Sequence, residues 1–249
     1  MSAGNLLAEV GIAKTNKYAS RESGDTAELV ERPEGGIAVV LCDGQGTGRA
    51  AKTLSMLATS KAVALLKEGV RDGAVVRAVS DHLLAYRHGQ VSVTLDVVSL
   101  DPRRDVVGVT RFSTLPLVVC RRGGCDLVEA TADPAGRQSL AEPAALELAV
   151  DADLTVVVVS DGIVNAGSRR GAALDVVSTV AASLGHGAPA LADAVLDAAI
   201  SSDHGRPNDD MSVVVLCVRR HDENPAVRRL SARVPFTDLP RAANGGPLG

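Results

Sequence analysis

Apolar positions along the chain follow two rhythms. Short runs that alternate apolar and polar residues, or are rich in β-branched ones, occur at "AEVGIAKT", "GIAVVLC", "VSVTLDVVSL", "DVVGVTRF", "LPLVVCRR", "LELAV", "LTVVVVS" and "MSVVVLCVRR". They predict strands, because successive side chains of a strand face opposite sides. Between them, the segments at about 47–68, 72–88, 171–184 and 189–202 place Ala, Leu and Val at helical spacing, predicting four helices. Asp72 and Ser168 are suited to start helices locally.

The order of these elements is not a regular strand-helix alternation. Residues 91–128 read as consecutive strands joined by turns such as "DPRRD" and "RRGGC", which predicts antiparallel meanders with helices packed on the sheet faces. No repeat of 20 to 50 residues is present and no linker divides the chain. A single domain is therefore expected over residues 1–219. Residues 220–249, rich in Pro, Gly and Arg, lose the strand pattern and are expected to form a mobile tail, with a docking segment as the alternative.

Composition narrows the function. A hydrophobic content of 46% is ample for a core, and with aromatics at 2% that core must be built of Val, Ala and Leu. Nucleic-acid binding is not expected, since the net charge is -4 and base-stacking rings are scarce. No apolar stretch approaches the roughly 20 residues needed to span a bilayer, and the N-terminus lacks the basic and apolar regions of a leader. A cytoplasmic protein without membrane partners is expected. Cys42, Cys120, Cys125 and Cys217 contain no C-x-x-C pair and are expected to be buried or incidental thiols.

One glycine-rich stretch, "LCDGQGTGRAAKT", invites a phosphate-loop reading. It fails on spacing: Ala51 stands before Lys52 where a Walker loop needs glycine, and Arg49 stands where a dinucleotide fingerprint needs its third glycine. What is left is Asp43 at the end of a strand, followed by a flexible turn into a helix.

Other carboxylates share that context. Asp43 follows "GIAVVLC", Asp161 follows "LTVVVVS", and Asp209 and Asp210 immediately precede "MSVVVLCV". In an antiparallel sheet the end of one strand lies beside the start of its neighbour, so all of them can meet at one edge. Asp43-Gly44 and Asp161-Gly162 each pair a carboxylate with a residue that turns sharply and bares its carbonyl. Each pair alone is an ordinary turn dipeptide. Together they form an oxygen-rich site whose mutual repulsion calls for cations, with Mg²⁺ or Mn²⁺ the suitable class. Two such ions about 3.5 to 4 Å apart bind phosphate and acidify a bridging water.

In the order "ESGD", "LCDGQGTGRAAK", "VSVTLDVVSLD", "VVVVSDGIVNA" and "NDDMSVVVLCV", the chain over about residues 8–219 resembles the metal-dependent type 2C serine/threonine phosphatases, in their SpoIIE-like branch. The resemblance implies an α+β fold, the αββα four-layer sandwich of two mainly antiparallel sheets flanked by helices. It implies two Mn²⁺ or Mg²⁺ ions, with Asp43 bridging both and Gly44 offering a backbone oxygen. Asp161 and Asp209 then complete one ion, and Asp25 supports the second directly or through water. Asp210 stands where relatives have Asn or Asp after the ligand, so Asp209 is preferred. Arg21 and Lys17 are the candidates for binding substrate phosphate, although their match is imprecise. His204 is a weaker candidate for the site. Relatives often carry histidine after the Asp-Gly pair, whereas this chain has Gln45, which cannot act as a general acid near neutral pH. The stretch Arg111 to Pro116 also departs from the family's usual turn.

The implied activity is hydrolysis of phosphoserine or phosphothreonine by a metal-activated water, without a phosphoenzyme. The compactness is most like RsbX-like members, with no room for an appended sensor domain. The implied substrate is a phosphorylated regulatory protein of a bacterial stress or sigma-factor circuit, such as an anti-sigma-factor antagonist or a stress-signalling scaffold. The alternatives are a catalytically weak phosphatase-like module that captures a phosphorylated partner and, third, hydrolysis of a small phosphate ester.

Overall fold

The computed structural model describes residues 5–138, 140–221 and 227–235. Among these residues, ten strands form two five-stranded sheets. The first contains, in spatial order, β1 (Leu6–Thr15), β10 (Met211–Arg220), β9 (Thr155–Val159), β6 (Leu117–Arg121) and β7 (Gly124–Val128). The second contains β2 (Asp25–Glu31), β3 (Ile37–Gly44), β4 (Val93–Asp101), β5 (Val106–Phe112) and β8 (Ala144–Ala149). Every pairing within them is antiparallel.

Strand periodicity decides what each face meets. In β3, Val39 and Leu41 point between the sheets, beside Val156, Val158 and Leu216 of the other sheet. Ala38, Val40 and Cys42 point outward, under α1 (Gly48–Lys67) and α2 (Asp72–Arg87). In β10, Val214, Leu216 and Val218 face inward, whereas Val213, Val215 and Cys217 meet α4 (Val176–Ala182) and α5 (Ala188–Ser202). The central strands are thus buried on both faces, which is why their sequences read as continuous apolar runs. The result is the expected αββα sandwich. Among the described residues, no helix is long and apolar enough to cross a membrane.

Some local expectations change. β2 was not foreseen, because "DTAELVE" carries three acids in seven residues. It lies at a sheet edge, where exposed Glu28 and Glu31 remain in water. The helix expected from residue 171 begins only at Val176. Gly171 takes φ 98°, ending a 3₁₀ turn over Ser168–Arg170, and Asp175 caps the new helix by accepting from the Ser178 amide. A short helix, α3 (Asp161–Val164), follows β9.

The cysteine expectation is corrected for one pair. Cys120 and Cys125 face one another across the β6-β7 hairpin and are joined by a disulfide, while Cys42 and Cys217 are buried free thiols. The turn "RRGG" brings the first two into register, a relation their linear spacing does not announce. Of the expected tail, residues 222–226 and 236–249 lie outside the described residues. Residues 227–235 have no regular structure, and Arg228 donates from Nη2 to the Gly35 carbonyl at 2.8 Å, on the β2-β3 turn.

Within the inter-sheet layer lies a charged pair. Asp96 of β4 and Arg111 of β5 are cross-strand partners, with Nε 2.5 Å from Oδ1 and side chains 2% and 0% exposed.

Candidate metal centre

The sheet register puts Asp25 directly opposite Asp43, at the end of the β2-β3 ladder. Asp43 continues the inward parity of Val39 and Leu41, so its carboxylate belongs to the mouth of the inter-sheet layer. Asp161 opens α3 directly after β9, and Asp209 and Asp210 directly precede β10, which neighbours β9 in the opposite sheet. The acids therefore do not share one sheet edge, as the sequence suggested. They come from two sheets and meet across the gap between them. Together with Gly44, Gln45, Ser92 and Thr94 they line an open pocket of about 240 Å³.

Both glycines of the Asp-Gly pairs are needed by close backbone approaches. A Cβ on Gly44 would lie 2.1 Å from the Ala51 carbonyl oxygen of α1, and one on Gly162 would lie 2.0 Å from the Asp210 carbonyl oxygen. The second contact packs the start of α3 against the Asp209-Asp210 segment. Gly162→Ala is expected to destabilise the protein by about 1–3 kcal/mol or more, because the obstacle is backbone and cannot rotate away. The denaturant midpoint of the metal-free protein measures it; an unchanged midpoint would show that the two segments are not packed this way.

Charge is concentrated and poorly compensated. Both carboxylate oxygens of Asp25 are buried without a hydrogen-bond partner. Burial raises the Asp25 pKa, against the nearby hydroxyls of Ser212 and Ser160. Asp43 is pushed up to about 9, by burial first and then by the charges of Asp25 and Asp161. Asp161 rises to about 6, by burial and then by the charges of Asp209 and Asp25. Burial and mutual repulsion thus raise the proton affinity of these groups, and a bound cation would oppose that by favouring the ionised carboxylates.

Asp210 differs from its neighbours. Its Oδ1 accepts the Lys17 amide at 2.8 Å and its Oδ2 the Gly24 amide at 2.7 Å, so both oxygens clamp the loop leading into β2. Asp209 is half-buried and its Oδ1 accepts only the following amide, at 3.0 Å. Behind the pocket, the Nζ atoms of Lys14 and Lys52 each donate to the Asp25 carbonyl oxygen at 2.8 Å.

The donor set fits a hard divalent cation. It offers carboxylate oxygens, including the unpartnered pair on Asp25, and no thiol or imidazole lines it. Among the described residues, no three acidic, His or Cys side chains close on one point as a finished cage. An open arrangement of this kind suits Mg²⁺ or Mn²⁺, which keep several waters.

Lys17 and Arg21 sit on the loop that Asp210 anchors, but neither lines the pocket, and Arg21 is exposed. His204 is exposed on the turn after α5 and does not line it either. Gln45 does, with Oε1 accepting from the Ser92 amide at 3.0 Å and the Ser92 hydroxyl at 3.2 Å. Sequence reasoning missed Lys14 and Lys52, for which no local signal exists, and Asp203, a carboxylate five residues before Asn208 whose contacts are described below.

Comparison with known proteins agrees with this fold. The chain is 20% identical over 210 residues to the stage II sporulation protein E of Priestia megaterium, covering 84% of this chain and 36% of that protein. It thus spans little more than a third of that relative. Among solved structures, the PP2C phosphatase domain with a regulatory fragment of SpoIIE from Bacillus subtilis superposes with a TM-score of 0.78 at 20% identity, covering 89% of this chain and 66% of that one. The catalytic domain of the serine/threonine phosphatase PstP, in complex with two manganese ions, superposes with a TM-score of 0.66 at 16% identity, covering 86% of this chain and 100% of that one. The family model for stage II sporulation protein E matches residues 33–219, three quarters of the sequence, and with the fold already described it shows that the chain belongs to the SpoIIE family.

Proposed function

We propose that the protein is a Mn²⁺- or Mg²⁺-dependent phosphatase that hydrolyses phosphoserine or phosphothreonine on a bacterial regulatory protein. The observation that carries this reading is the gathering of Asp25, Asp43, Asp161 and Asp209 from two sheets into one pocket at the cost of mutual repulsion. A structural remnant gains nothing from collecting uncompensated buried charge.

In this reading the ions would be held by Asp43 between them, with the Gly44 carbonyl offering an oxygen, Asp161 and Asp209 serving one ion and Asp25 supporting the other. Asp209 is preferred over Asp210 because the latter's oxygens are already taken by two amides. When bound, the ions supply charge neutralisation and an acidified water for in-line attack on phosphorus. Gln45, its carbonyl fixed by Ser92, is left with an amide nitrogen that can donate a hydrogen bond to a phosphate oxygen but cannot deliver a proton. Protonation of the departing alkoxide therefore falls to water or to another group of the pocket. We assign Lys17 and Arg21 to the approach of the phosphoprotein rather than to the pocket.

The substrate is proposed to be a phosphorylated regulator of a stress or sigma-factor circuit, of the anti-sigma-factor antagonist or scaffold type, met in the cytoplasm. The resemblance to compact RsbX-like phosphatases supports this choice. Gln45 favours a second reading, a phosphatase-like module that binds a phosphorylated partner and turns it over poorly.

Hydrolysis of an aryl phosphate with and without Mn²⁺ tests the activity, with Asp209→Asn as the variant. Turnover that needs Mn²⁺ and is lost in the variant is expected. Equal rates in both proteins would remove the catalytic reading and leave the binding module. Mass spectrometry of phosphorylated regulators before and after incubation then tests the substrate class, and preference for small esters over every phosphoprotein would overturn it.

A further inference from the structure

We propose that Asp203 is a positioning residue: from the end of α5 it ties the segment after Asp161 to the segment before Asp209 and so fixes the spacing of those two carboxylates. This rests on the assignment of Asp161 and Asp209 as ligands.

Asp203 is 1% exposed and takes no part in the pocket. Its Oδ1 accepts the Gly167 amide at 3.0 Å and the Asn208 side-chain amide at 2.8 Å, while Oδ2 accepts the Asn208 backbone amide at 2.8 Å. Its own amide closes the last turn of α5 on the Ala199 carbonyl, which gives the carboxylate a rigid mount.

Each arm reaches a candidate ligand through a short, hydrogen-bonded path. From Asp161, its carbonyl accepts the Asn165 amide at 2.8 Å, and the Asn165 carbonyl accepts the Ser168 amide at 3.0 Å, so Gly167 rides on continuous turns. Gly167 itself holds φ 77°, and a Cβ there would lie 2.5 Å from the Ala172 carbonyl oxygen, so only glycine fits this turn. On the other arm, Asn208 is the residue before Asp209, and its Oδ1 also accepts Arg169 Nη1 at 3.1 Å. One buried carboxylate thus grips both flanks of the site.

The tether has a force to resist. The charge of Asp209 is the largest influence after burial on Asp161, so in the absence of a cation the two segments repel. The three donors outweigh the desolvation of Asp203 and hold its carboxyl below the usual range, so it is charged and fully engaged at neutral pH. Outer partners of this kind set how well a site is organised before the metal arrives, and their loss costs about 10–100-fold in metal affinity.

The complete chain is compared with Asp203→Asn and Asn208→Ala, using Mn²⁺ titration calorimetry for affinity and thermal unfolding in EDTA for the fold. Asp175→Ala is the control, because it removes the N-terminal cap of α4 on the surface, away from the pocket. Both test variants are expected to bind Mn²⁺ about 10–100-fold more weakly, with kcat recovering as Mn²⁺ is raised. Asp175→Ala is expected to melt earlier with unchanged affinity. A folded Asp203→Asn protein that binds Mn²⁺ as tightly as wild type would overturn the proposal, as would unchanged affinity in Asn208→Ala if Asp203→Asn does not fold. Wild-type protein that binds no Mn²⁺ would instead overturn the ligand assignment beneath it.

Discussion

Asp43→Asn is expected to abolish phosphatase activity and, in the same molecule, to stabilise the metal-free protein. The loss follows from its central place among the proposed ligands. Metal assistance contributes several kcal/mol to such reactions, so the rate should fall by at least about a thousandfold. The gain follows from linkage. Asp43 rises from an ordinary 3.8 to about 9 in the fold, with burial the largest cause. A raised carboxylate contributes stability that is fully present below its unfolded pKa and is lost as pH climbs through the folded value. In EDTA, wild-type protein should therefore lose stability from about pH 4 toward pH 9, with Asp161 contributing to the part below about 6. Asparagine carries no titrating proton, so the variant escapes the proton uptake that folding imposes on Asp43 above about pH 4. After allowing for proton sharing among the carboxylates, the gain should be on the order of 2 kcal/mol at pH 8. Thermal unfolding in EDTA at pH 5, 7, 8 and 9 measures it. A variant less stable than wild type at pH 8 would refute the electrostatic account, and Mn²⁺ stabilising the variant as it does wild type would refute the ligand role.

The second large effect belongs to the core. Arg111→Met is expected to destabilise the protein by about 3–5 kcal/mol, because it leaves Asp96 charged, or forced to take a proton, in the apolar layer between the sheets. Burial already pushes the Asp96 pKa up and the guanidinium is what opposes it. The pair is itself imperfect: Nη1 and Nη2 of Arg111 are buried without partners. Replacing both members, Asp96→Val with Arg111→Met, should therefore recover most of the loss and can exceed wild type, since well-packed apolar substitutes often do. Urea unfolding of the two single variants and the double one decides it. Additive losses would mean that the charges do not interact as their geometry indicates.

The doubly buried strands were legible because they leave unmistakable runs such as "LTVVVVS" and "MSVVVLCVRR". The turns between residues 91 and 128 marked two hairpins, but the meander expected there is divided, with β4-β5 in one sheet and β6-β7 in the other. The four-layer sandwich itself was implied by the family resemblance. β2 was illegible for the opposite reason. An edge strand with three acids satisfies its environment without an apolar pattern, and only its pairing with β3 makes it a strand. The acids at 43, 161, 209 and 210 were readable from their positions at strand ends. That they belong to different sheets was not, because pairing partners are a property of the whole topology. Lys14 and Lys52 act through the Asp25 carbonyl, and Asp203 reaches the Gly167 amide 36 residues away, contacts that no local spacing encodes. The Cys120-Cys125 link needed the hairpin register in the same way. The distinction between Asp209 and Asp210 likewise depended on which carboxylate receives amides from the loop at 17–24.

The pairing of β1 with β10, from Leu6 opposite Arg220 to Thr15 opposite Met211, has a consequence for biosynthesis. β1 has no neighbour in its sheet until β10 leaves the ribosome, and Asp209 emerges only just ahead of β10. Late closure of so distant a contact carries a high entropic toll and delays folding. A ribosome-bound chain arrested before position 211 would lack β10, the strand that joins β1 to β9, so the segment bearing Asp209 and Asp210 is fixed opposite Asp43 only after that strand has paired.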